Sequence, residues 1–591
     1  MKNMKIYLFF RTFIAEYGYN NVSLPPKNIA VLMKTKHILL CVVAAFATNM
    51  AVAQTESDHN FEVKKQLDVF NSIYKNLDMM YVDTLDAKEV IGTGIKAMLR
   101  SLDPYTEYYP AEKMEDLKEI YTGKFAGIGA IIRYNSKIKR VVIDEPYQGM
   151  PADKAGLKKG DIILAIDDSS MVDKSVSYVS SHLRGDPGTS FILKVERPTT
   201  GKKMKIKITR QTVQTPSVPY YGIQANGVGY INLRQFTEDC SKEVRKAFIE
   251  MKEKGIKGLV LDLRNNGGGS EAEAVHIVNM FVPKDLLIVS NRGKLKRSNI
   301  DYKTKVEPID TVMPVVVLVN DDTASASEIT SGALQDLDRA VILGMRTYGK
   351  GLVQISVDLP YNGSLKLTSD KYYIPSGRCI QAINYRHAQG GYTEHIPDSL
   401  TKVFYTAHGR EVRDGGGIMP DVVVEPDSLP NIGYYLATSG VDSTEVLLDY
   451  EVDYIARHPS IARPADFELS DSDYEEFKQR VINSGFTYDH ETEKYLQNLV
   501  KLAKFEGYYD DAKDDFDNLE KKLRHNIAKD LDYNKAQLKK ILANDIVAAY
   551  YYQAGSIENS LRGDKQMEEA VRIINNPDEY WKILGRNKPQ P

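Results

Sequence analysis

Three short, largely apolar runs constrain the fold of this chain most strongly. They occupy residues 258–263, 314–319 and 340–344, and each is followed by polar or glycine-rich residues. Continuous apolar strands of this length are typical of a parallel sheet that is covered on both faces. From residue 213 to about residue 427 such strands alternate with helical patterns, so the sequence predicts an α/β core there.

The segment Thr-Ala-Ser-Ala-Ser-Glu at residues 323–328 follows the second run and precedes a helical pattern. Ser325 therefore stands at the carboxyl end of a strand and the amino end of a helix, where backbone N–H groups favour developing negative charge. This position suits a nucleophile. The same residues also fit a capping box, in which Ser325 and Glu328 satisfy the free N–H groups of a helix start. The segment alone leaves both interpretations open.

A lysine flanked by glycines follows the third run. Lys350 lies in the loop at residues 347–351, and parallel neighbours deliver their loops to the same edge of a sheet, so it is predicted to reach Ser325. Lysine can act as a general base only if desolvation lowers its pKa from about 10.4 to about 7–8. A solvated loop charge is the alternative.

The first run ends in a loop rich in glycine, Asn-Asn-Gly-Gly-Gly at residues 265–269. Such a loop can adopt positive φ and turn its N–H groups into a concavity, which fits an oxyanion site or a plain turn. Phosphate-binding and dinucleotide-binding patterns do not occur in the sequence. Neither do the zinc pattern H-E-x-x-H or the nucleophile elbow G-x-S-x-G, and His276, His387 and His395 sit in no recognisable motif. We therefore expect no metal and no cofactor.

Several motifs in a fixed order identify a family. They are Leu-Arg-Asn-Asn-Gly-Gly-Gly at 263–269, the segment at 323–328 with Gly-Ala-Leu-Gln-Asp at 332–336, and Gly-Lys-Gly-Leu-Val-Gln at 349–354. With these motifs the chain resembles the carboxyl-terminal processing peptidases, the tail-specific serine proteases that use a Ser/Lys dyad. The resemblance implies that Ser325 attacks the scissile carbonyl, that Lys350 is the general base and that Gln354 orients the lysine.

The resemblance also implies an oxyanion hole made of backbone N–H groups. One of these groups belongs to Ala326 and another to a glycine of the loop, for which Gly267 and Gly268 are the first candidates. Asp336 is expected to fix local geometry rather than transfer protons. The implied fold is multidomain α/β, with a ClpP/crotonase-like catalytic core at 211–427, an inserted PDZ domain built as a partly open β-barrel, and helical N-terminal and C-terminal regions.

A second module precedes the core, at residues 121–210. The pattern Ala-Gly-Leu-x-x-Gly-Asp-x-Ile at 155–163 resembles a PDZ domain. PDZ domains bind a peptide as an added strand and capture its terminal carboxylate on the N–H groups of a glycine-containing loop. The candidate loop is Gly127, Ile128, Gly129 and Ala130, for which an ordinary turn is the alternative.

The amino-terminal sequence resembles an export signal. Residues 33–53 contain a basic n-region, an apolar h-region and an A-x-A site, so we expect Met33 to be the true start, Gln54 the first mature residue, and 1–32 a mis-called extension. This predicts an exported, periplasmic protein. A retained membrane anchor is the alternative, although the apolar run is shorter than the roughly 20 residues that span a bilayer.

Two further regions flank the recognised modules. Residues 54–120 are predicted to be helical and to be a candidate for homo-oligomer formation, and 428–591 to be a mainly helical extension that the resemblance leaves unexplained. Within the extension, the charged segment 510–542 could pack on the core or bind a partner, but its sparse apolar stripe favours a solvated helical face. With 591 residues the chain should contain several domains, and a net charge of −3 gives no reason to expect nucleic acid.

The sequence therefore predicts a serine endopeptidase that uses its PDZ domain to select proteins or peptides by a free, apolar carboxyl terminus. An adaptor protein is a further expected partner. The competing hypothesis is a PDZ-based scaffold with a silent core, against which the presence of Ser325, Lys350 and Gln354 argues. A third hypothesis is a structural role in the cell envelope through the carboxyl-terminal helices.

Overall fold

The computed structural model describes residues 58–224, 226–382, 396–427, 429–438, 444–489 and 491–586. The predicted extension at 1–32 and the predicted signal at 33–53 lie outside these ranges. The chain divides into two compact units, with the boundary between Ile95 and Lys96. Among the described helices, none combines the length and the apolar character that a bilayer span requires.

The amino-terminal region is helical, as the sequence predicts. Helix α1 occupies residues 58–80 and exposes apolar side chains that include Phe61, Phe70 and Ile73. Helix α2 (Ala87–Arg100), strand β1 (Glu107–Tyr109) and helix α3 (Met114–Thr122) follow. A short loop separates α2 from β1, so the region is not helical throughout.

The PDZ region is an antiparallel sheet with two short helices. Its elements are β2 (Lys124–Gly127), β3 (Ala130–Asn135), β4 (Arg140–Pro146), α4 (Pro151–Lys154), β5 (Ile162–Ile166), β6 (Ser169–Ser170), α5 (Val176–Leu183), β7 (Ser190–Arg197), β8 (Lys202–Thr209) and β9 (Gln211–Gln214). The sheet has the order β3-β4-β5-β7-β8, with β6 paired to β5. Strands β2 and β9 form a separate antiparallel ribbon where the PDZ region joins the core.

The catalytic core alternates strands and helices. Its elements are β10 (Tyr220–Ile223), β11 (Gly229–Asn232), α6 (Cys240–Glu253), β12 (Leu259–Asp262), α7 (Glu271–Val278), β13 (Leu287–Gly293), β14 (Ile300–Lys303), β15 (Val315–Val319), α8 (Ala326–Asp336), β16 (Val341–Gly344), β17 (Leu352–Leu359), β18 (Gly363–Tyr373), β19 (Val403–Tyr405), β20 (Glu411–Arg413) and β21 (Val422–Val423).

The three predicted apolar runs become β12, β15 and β16, which are buried throughout. The main sheet has the order β10-β11-β12-β15-β16-β21, and all its pairs are parallel except β10 with β11. The predicted α/β core is therefore confirmed. The loops after β12, β15 and β16 leave the sheet at one edge, as expected for parallel neighbours. The ClpP/crotonase-like and barrel details stay predictions.

A second, antiparallel sheet packs beside the first. It has the order β1-β18-β13-β14, with β17 also paired to β18. Side chains from helices α6, α7 and α8 and from the second sheet share one apolar cluster with one face of the main sheet. Strand β17 follows directly after Lys350, so the second sheet supplies another wall of the region around this lysine.

The carboxyl-terminal region is a helical domain, as the sequence predicts. Its helices are α9 (Asn431–Ala437), α10 (Val446–Arg457), α11 (Asp471–Asn483), α12 (Glu491–Glu506), α13 (Lys513–Leu523), α14 (Ile527–Tyr533), α15 (Lys535–Ser560), α16 (Lys565–Ile574) and α17 (Pro577–Ile583). Apolar side chains of α9, α10, α11, α14 and α15 form a core of their own. Those of α16 and α17 pack on the other face of the main sheet.

The preference for a solvated face over 510–542 is only partly right. Helix α13 buries none of its residues, in agreement with it. Leu531, Leu538 and Leu542 are buried in the helical core, which contradicts the preference. Leu531 lies on α14, and Leu538 and Leu542 lie one turn apart on α15, so a few leucines on two consecutive helices are enough to join the core, even in a strongly charged segment.

The helical domain also contacts the PDZ sheet. Glu445 pairs with Arg133 at 2.9 Å, and the buried amine of Lys159 lies 3.0 Å from Asp144 and 3.3 Å from Glu451. These contacts join strands β3 and β4 to helix α10. The PDZ region is therefore held against the helical domain by buried ion pairs.

Candidate active site

A cleft of about 870 Å³ gathers the predicted catalytic residues. Ser325, Lys350, Gln354 and Ala326 line it, together with Gly267, Gly268 and Gly269. These residues come from the loops after β12 and β15, from the loop after β16, and from the start of β17. The topology therefore brings together motifs that are up to 87 positions apart in sequence, from Gly267 to Gln354.

Ser325 connects β15 to α8 in an uncommon backbone conformation. Its φ is 58° and its ψ is −118°, a combination that residues with a side chain rarely adopt and that is found disproportionately at functional sites. Helix α8 begins at Ala326, whose N–H donates no hydrogen bond to any described residue. The strained turn and the free helix amide thus lie side by side in the cleft.

Glu328 links the serine loop to the lysine loop. Its fully buried carboxylate accepts hydrogen bonds from Ser325 N and Lys350 N, both at 2.9 Å. It also accepts from Gly349 N at 2.8 Å and from Thr347 Oγ1 at 2.5 Å. The glutamate half of the predicted capping box is therefore present, and it extends into a bridge between the two loops.

Burial raises the pKa of Glu328 to about 7, although the four hydrogen bonds to its carboxylate act in the opposite direction. The ionised form has only acceptors to offer and so matches all four donors. A protonated carboxyl group would turn one acceptor into a donor that faces another donor.

Lys350 is a partly buried amine without an anionic partner. Among the described residues, no carboxylate oxygen lies within 4.0 Å of its Nζ, which stands 4.5 Å from the centre of the Tyr105 ring. Burial, and secondly the nearby charge of Lys366, lower the pKa of Lys350 to about 8. This is the direction that general-base chemistry requires.

Gln354 lines the cleft but does not hydrogen-bond to the lysine. Its Nε2 donates to Thr368 Oγ1 in β18 at 3.2 Å. The β17–β18 pairing shifts register between Val353 and Gln354, and Gln354 is paired directly with Thr368. The predicted role of Gln354 in orienting Lys350 stays a prediction.

The glycine loop packs directly on the serine turn. A β-carbon at Gly268, where φ is 94°, would lie 2.7 Å from Ser325 Cβ and 2.8 Å from Ala326 N, so only glycine fits. The Gly268 N–H already donates to Asn266 Oδ1 at 2.9 Å, so Gly268 is not a free oxyanion donor. The Gly267 N–H has no hydrogen-bond partner among the described residues. Of the two predicted glycines, Gly267 is therefore the available donor.

Asn266 fixes this arrangement. Its carbonyl oxygen accepts from Ala324 N at 3.0 Å and from Ser327 Oγ at 2.9 Å, while its side chain donates to Leu233 O at 2.7 Å. The residue is fully buried. It holds the glycine loop and the serine turn in register.

The predicted tail-binding loop forms a second, smaller cavity of about 160 Å³, lined by Gly127, Ile128, Gly129 and Ala130. The N–H groups of Ile128 and Gly129 have no hydrogen-bond partners in the part of the chain that the structure describes. Arg184 also lines this cavity.

The guanidinium of Arg184 pairs with Glu119 at 2.5 Å and stacks 4.7 Å from the centre of the Phe125 ring. Tyr147 and Thr215 line both the small cavity and the cleft of Ser325, so the two cavities adjoin.

Other candidate groups lie elsewhere. His276 is exposed on α7 and pairs with Glu273 at 3.3 Å, away from the cleft lining, while His387 and His395 lie outside the described residues. Asp336 pairs with the buried Arg378 at 2.8 Å and accepts from Ser376 N at 2.9 Å, which confirms its expected geometric role. Within the described ranges, no cluster of side chains could hold a metal ion.

Sequence reasoning missed the roles of several residues in or around the cleft. Asn266 was visible only as part of a glycine-rich motif, and Glu328 only as a helix cap. Tyr105 and Lys366 reach the lysine from β1-flanking and β18 positions that carry no local signal of their own. Their contribution depends on the packing of the second sheet against the first.

Comparisons with known families agree with this organisation. The model of peptidase family S41 matches residues 227–389, and a PDZ domain model matches residues 142–197. A third model, of the C-terminal helical domain of probable PDZ-proteases, matches residues 437–574.

The matches to individual relatives cover most of the length of each relative. The chain is 35% identical over 356 residues to a carboxy-terminal-processing protease of Bartonella bacilliformis, covering 59% of this chain and 81% of that protein. It is 32% identical over 382 residues to a probable CtpA-like serine protease of Staphylococcus epidermidis, covering 62% of this chain and 76% of that protein. Among solved structures, the photosystem II D1 C-terminal processing protease is 27% identical, with 63% of this chain and 92% of that chain covered and a TM-score of 0.34.

Proposed function

Because this chain belongs to peptidase family S41, among the carboxy-terminal-processing proteases, we propose that it cleaves proteins near their carboxyl ends with a Ser325/Lys350 dyad. One observation carries the proposal: the amine of Lys350 shares a cleft with Ser325, and burial lowers its pKa to about 8. A lysine in this condition keeps a neutral fraction near physiological pH that is far larger than that of an ordinary lysine, and this neutral amine can accept a proton.

In the proposed acylation, the neutral Nζ of Lys350 takes the proton of Ser325 Oγ while Oγ bonds to the scissile carbonyl carbon. The carbonyl oxygen becomes an oxyanion, which the N–H groups of Ala326 and Gly267 stabilise. The carbon–nitrogen bond then breaks, and the Lys350 ammonium gives its proton to the departing amine. The products are an ester on Ser325 and the released carboxyl-terminal fragment.

Deacylation reverses these roles with water. Neutral Lys350 removes a proton from a water molecule, whose oxygen attacks the ester carbon, and the same two N–H groups stabilise the second oxyanion. The proton then returns from Lys350 to Ser325 Oγ as the ester bond breaks. Gln354 completes the proposed set as a positioning residue for the lysine.

The proposed substrates are proteins or peptides with a free, apolar carboxyl terminus. The free N–H groups of Ile128 and Gly129 suit a terminal carboxylate. Phe125 and Leu183 give the cavity an apolar lining that fits an apolar last side chain. Substrate selection by the PDZ domain would then precede cleavage.

The proposed place of action is outside the cytoplasm. The sequence pattern at 33–53 supports export to the periplasm, with a retained membrane anchor as the alternative. Sequencing the amino terminus of the mature protein decides between a chain that begins at Gln54 and one that keeps the apolar run. An adaptor protein and a homo-oligomer are part of the same proposal.

The experiment that tests the dyad compares purified wild-type protein with Ser325→Ala and Lys350→Ala on an unfolded protein that ends in apolar residues. Ser356→Ala and Lys303→Ala, at exposed positions away from the cleft lining, are the matched controls. Cleavage should disappear in the first pair of variants and persist in the second. Undiminished cleavage by Ser325→Ala would contradict the dyad.

The same substrate with an amidated carboxyl terminus tests tail reading. We expect slower cleavage, because an amide cannot replace a charged carboxylate on the loop of Ile128 and Gly129. Equal rates would remove the tail-reading role of the PDZ domain. Binding of the tail without cleavage in any form of the protein would favour the competing function, a PDZ-based scaffold.

A further inference from the structure

Helix α15 is interrupted at Tyr552, where φ is 55° and ψ is −168°. A positive φ is uncommon for a residue with a bulky side chain and persists where neighbouring structure holds it. Here the Tyr552 hydroxyl donates to Asp153 Oδ1 of the PDZ helix α4 at 2.9 Å. The other carboxylate oxygen of Asp153 accepts from Gly149 N at 2.7 Å. The bend is thus tied to the PDZ domain.

The helix is also fixed after the bend. A β-carbon at Gly555 would lie 2.3 Å from Tyr551 Cβ and 3.2 Å from Pro464 Cγ, so the bend requires glycine one turn later. The side chain of Asn559 donates to Pro464 O at 2.7 Å and to Phe467 O at 2.9 Å. The position of the bend is therefore set from both sides.

The bend carries Gln553 into the cleft of Ser325. Among the described residues that line this cleft, Gln553 is the one that the carboxyl-terminal helical domain supplies. Its backbone N–H faces the Glu145 carboxyl group at the end of PDZ strand β4. Its side-chain amide makes no hydrogen bond to any described residue. An amide offers both donors and an acceptor, which is the combination that pairs with a peptide backbone.

The location of Gln553 defines which part of a substrate it would meet. Glu145 is two positions before Tyr147, which lines both the cleft and the tail cavity. Gln553 therefore stands on the PDZ side of the cleft, beside the strand that leads to Tyr147. A peptide whose carboxyl end occupies the tail cavity and whose scissile bond reaches Ser325 must pass this wall.

We infer that Gln553 is a substrate-contacting residue, which hydrogen-bonds the peptide backbone on the carboxyl-terminal side of the scissile bond. The inference rests on the proposed function, because it needs a peptide that connects the two cavities. It makes the helical domain a part of the substrate cleft, and it gives the bend at Tyr552 a purpose: to present one amide to the substrate.

The test measures binding of two fluorescent peptides to the Ser325→Ala protein. Both peptides end in the same apolar tail; one has about four residues and fills only the PDZ cavity. The other has about twelve, which in extended form span about 40 Å and reach into the cleft. Gln553→Ala should weaken the long peptide about two- to tenfold, the value of one lost hydrogen bond, and leave the short peptide unchanged. Gln537→Ala, on the same helix but away from the cleft lining, is the matched control.

A second variant guards against a purely structural effect. Gln553→Glu keeps the side-chain volume but loses the donor, and it should weaken the long peptide while the melting temperature of the protein stays within the range of the control. In the cleavage reaction, Gln553→Ala should raise KM for the long substrate and leave kcat unchanged, as expected for a contact made equally before and during the chemical step.

Two results would overturn the inference. One is unchanged affinity for the long peptide in both Gln553 variants, and the other is equal weakening of both peptides, which would locate the effect in the PDZ cavity. Neither result bears on the proposed role of the dyad, because binding is measured on the Ser325→Ala protein. Conversely, cleavage that survives Ser325→Ala would contradict the proposed function and leave the binding comparison intact.

Discussion

At the scale of single residues, the electrostatic state of Lys350 should determine how activity depends on pH. Burial lowers the pKa of Lys350 to about 8, and a general base must be unprotonated, so kcat/KM should rise with pH and level off above about 8. Protonation of Glu328, whose pKa burial raises to about 7, adds to the loss of activity on the acid side, because only the ionised carboxylate accepts all four of its hydrogen bonds. A pH–rate profile measures both effects, and a rate that is flat between pH 6 and 9 would argue against Lys350 as the base.

The cause of the lysine's lowered pKa can be tested separately. The positive charge of Lys366 is the second contribution after burial, so Lys366→Met should raise the pKa of Lys350 and move the profile to higher pH. Lys303→Met, exposed on β14 of the same sheet, should leave the profile where it is. A shift to lower pH in Lys366→Met would contradict this account of the charge.

Glu328→Gln should cost both stability and activity. The amide keeps the shape of the carboxylate but puts an NH2 group where two donors already point, so buried hydrogen bonds to a charged acceptor are lost. We expect the free energy of unfolding to fall by about 2–4 kcal/mol. Urea unfolding and kcat are the measurements, with the exposed Glu307→Gln as control. Full activity with unchanged stability would mean that the bridge between the two loops is not needed.

The meeting of Ser325 and Lys350 in one cleft was predictable from the sequence, and the residues that support it were not. Ser325 and Lys350 sit in short motifs after apolar runs, so their meeting at one sheet edge follows from parallel topology. Glu328 was visible, but its four donors come from two loops whose packing no local pattern encodes. The hydrogen bond of Gln354 to Thr368 likewise depends on a register shift between β17 and β18, which the sequence does not mark.

At the scale of secondary-structure elements, the glycine loop after β12 is predicted to tolerate no side chain at its contact with α8. Gly268→Ala would place a methyl group 2.6 Å from Ala324 O and 2.7 Å from Ser325 Cβ, at a φ of 94° that alanine rarely adopts. The serine turn must move, and small displacements of reacting groups cost about a hundredfold in rate. We therefore expect kcat to fall at least a hundredfold.

Gly267→Ala is the informative comparison for this loop. A β-carbon there has no neighbour within 4 Å, and the backbone N–H that we propose as an oxyanion donor is retained. The loss of activity should therefore be much smaller than in Gly268→Ala. Equal losses would mean that the loop responds to any added side chain rather than to the contact at the serine turn.

Three strands of the main sheet, β12, β15 and β16, were predictable to within a residue or two, because each lies in a short, largely apolar run. The bend in α15 was not, since Tyr552 sits in an unremarkable helical pattern and takes its conformation from Asp153 and Gly555. Packing between domains, rather than local propensity, sets this element.

At the scale of the whole molecule, the carboxyl-terminal helices and the catalytic sheet share one apolar cluster. Ile574, Tyr580 and Trp581 pack on the face of the main sheet opposite to α8, and the Tyr580 hydroxyl donates to Val315 O at 3.1 Å and accepts from Val315 N at 2.9 Å. Removal of everything after residue 427 would expose this apolar face of the sheet. A stable truncated protease is therefore not expected, because a large exposed apolar surface favours aggregation.

A milder change tests whether this shared cluster makes the molecule a single cooperative unit. Ile574 is buried against Gly258 in the loop before β12, so Ile574→Ala should lower the free energy of unfolding by about 2–5 kcal/mol. The chain has a single tryptophan, Trp581, whose fluorescence reports the docking of α17, while far-UV circular dichroism reports the whole fold. If the cluster couples the domains, both signals and the loss of protease activity should move together to lower urea concentration, because coincident transitions mark cooperative unfolding.

Ile482→Ala, at a position that is 38% exposed on α11, is the control and should shift these transitions little. Separate transitions, with Trp581 released while activity persists, would show instead that the terminal helices are an independent attachment to the catalytic core.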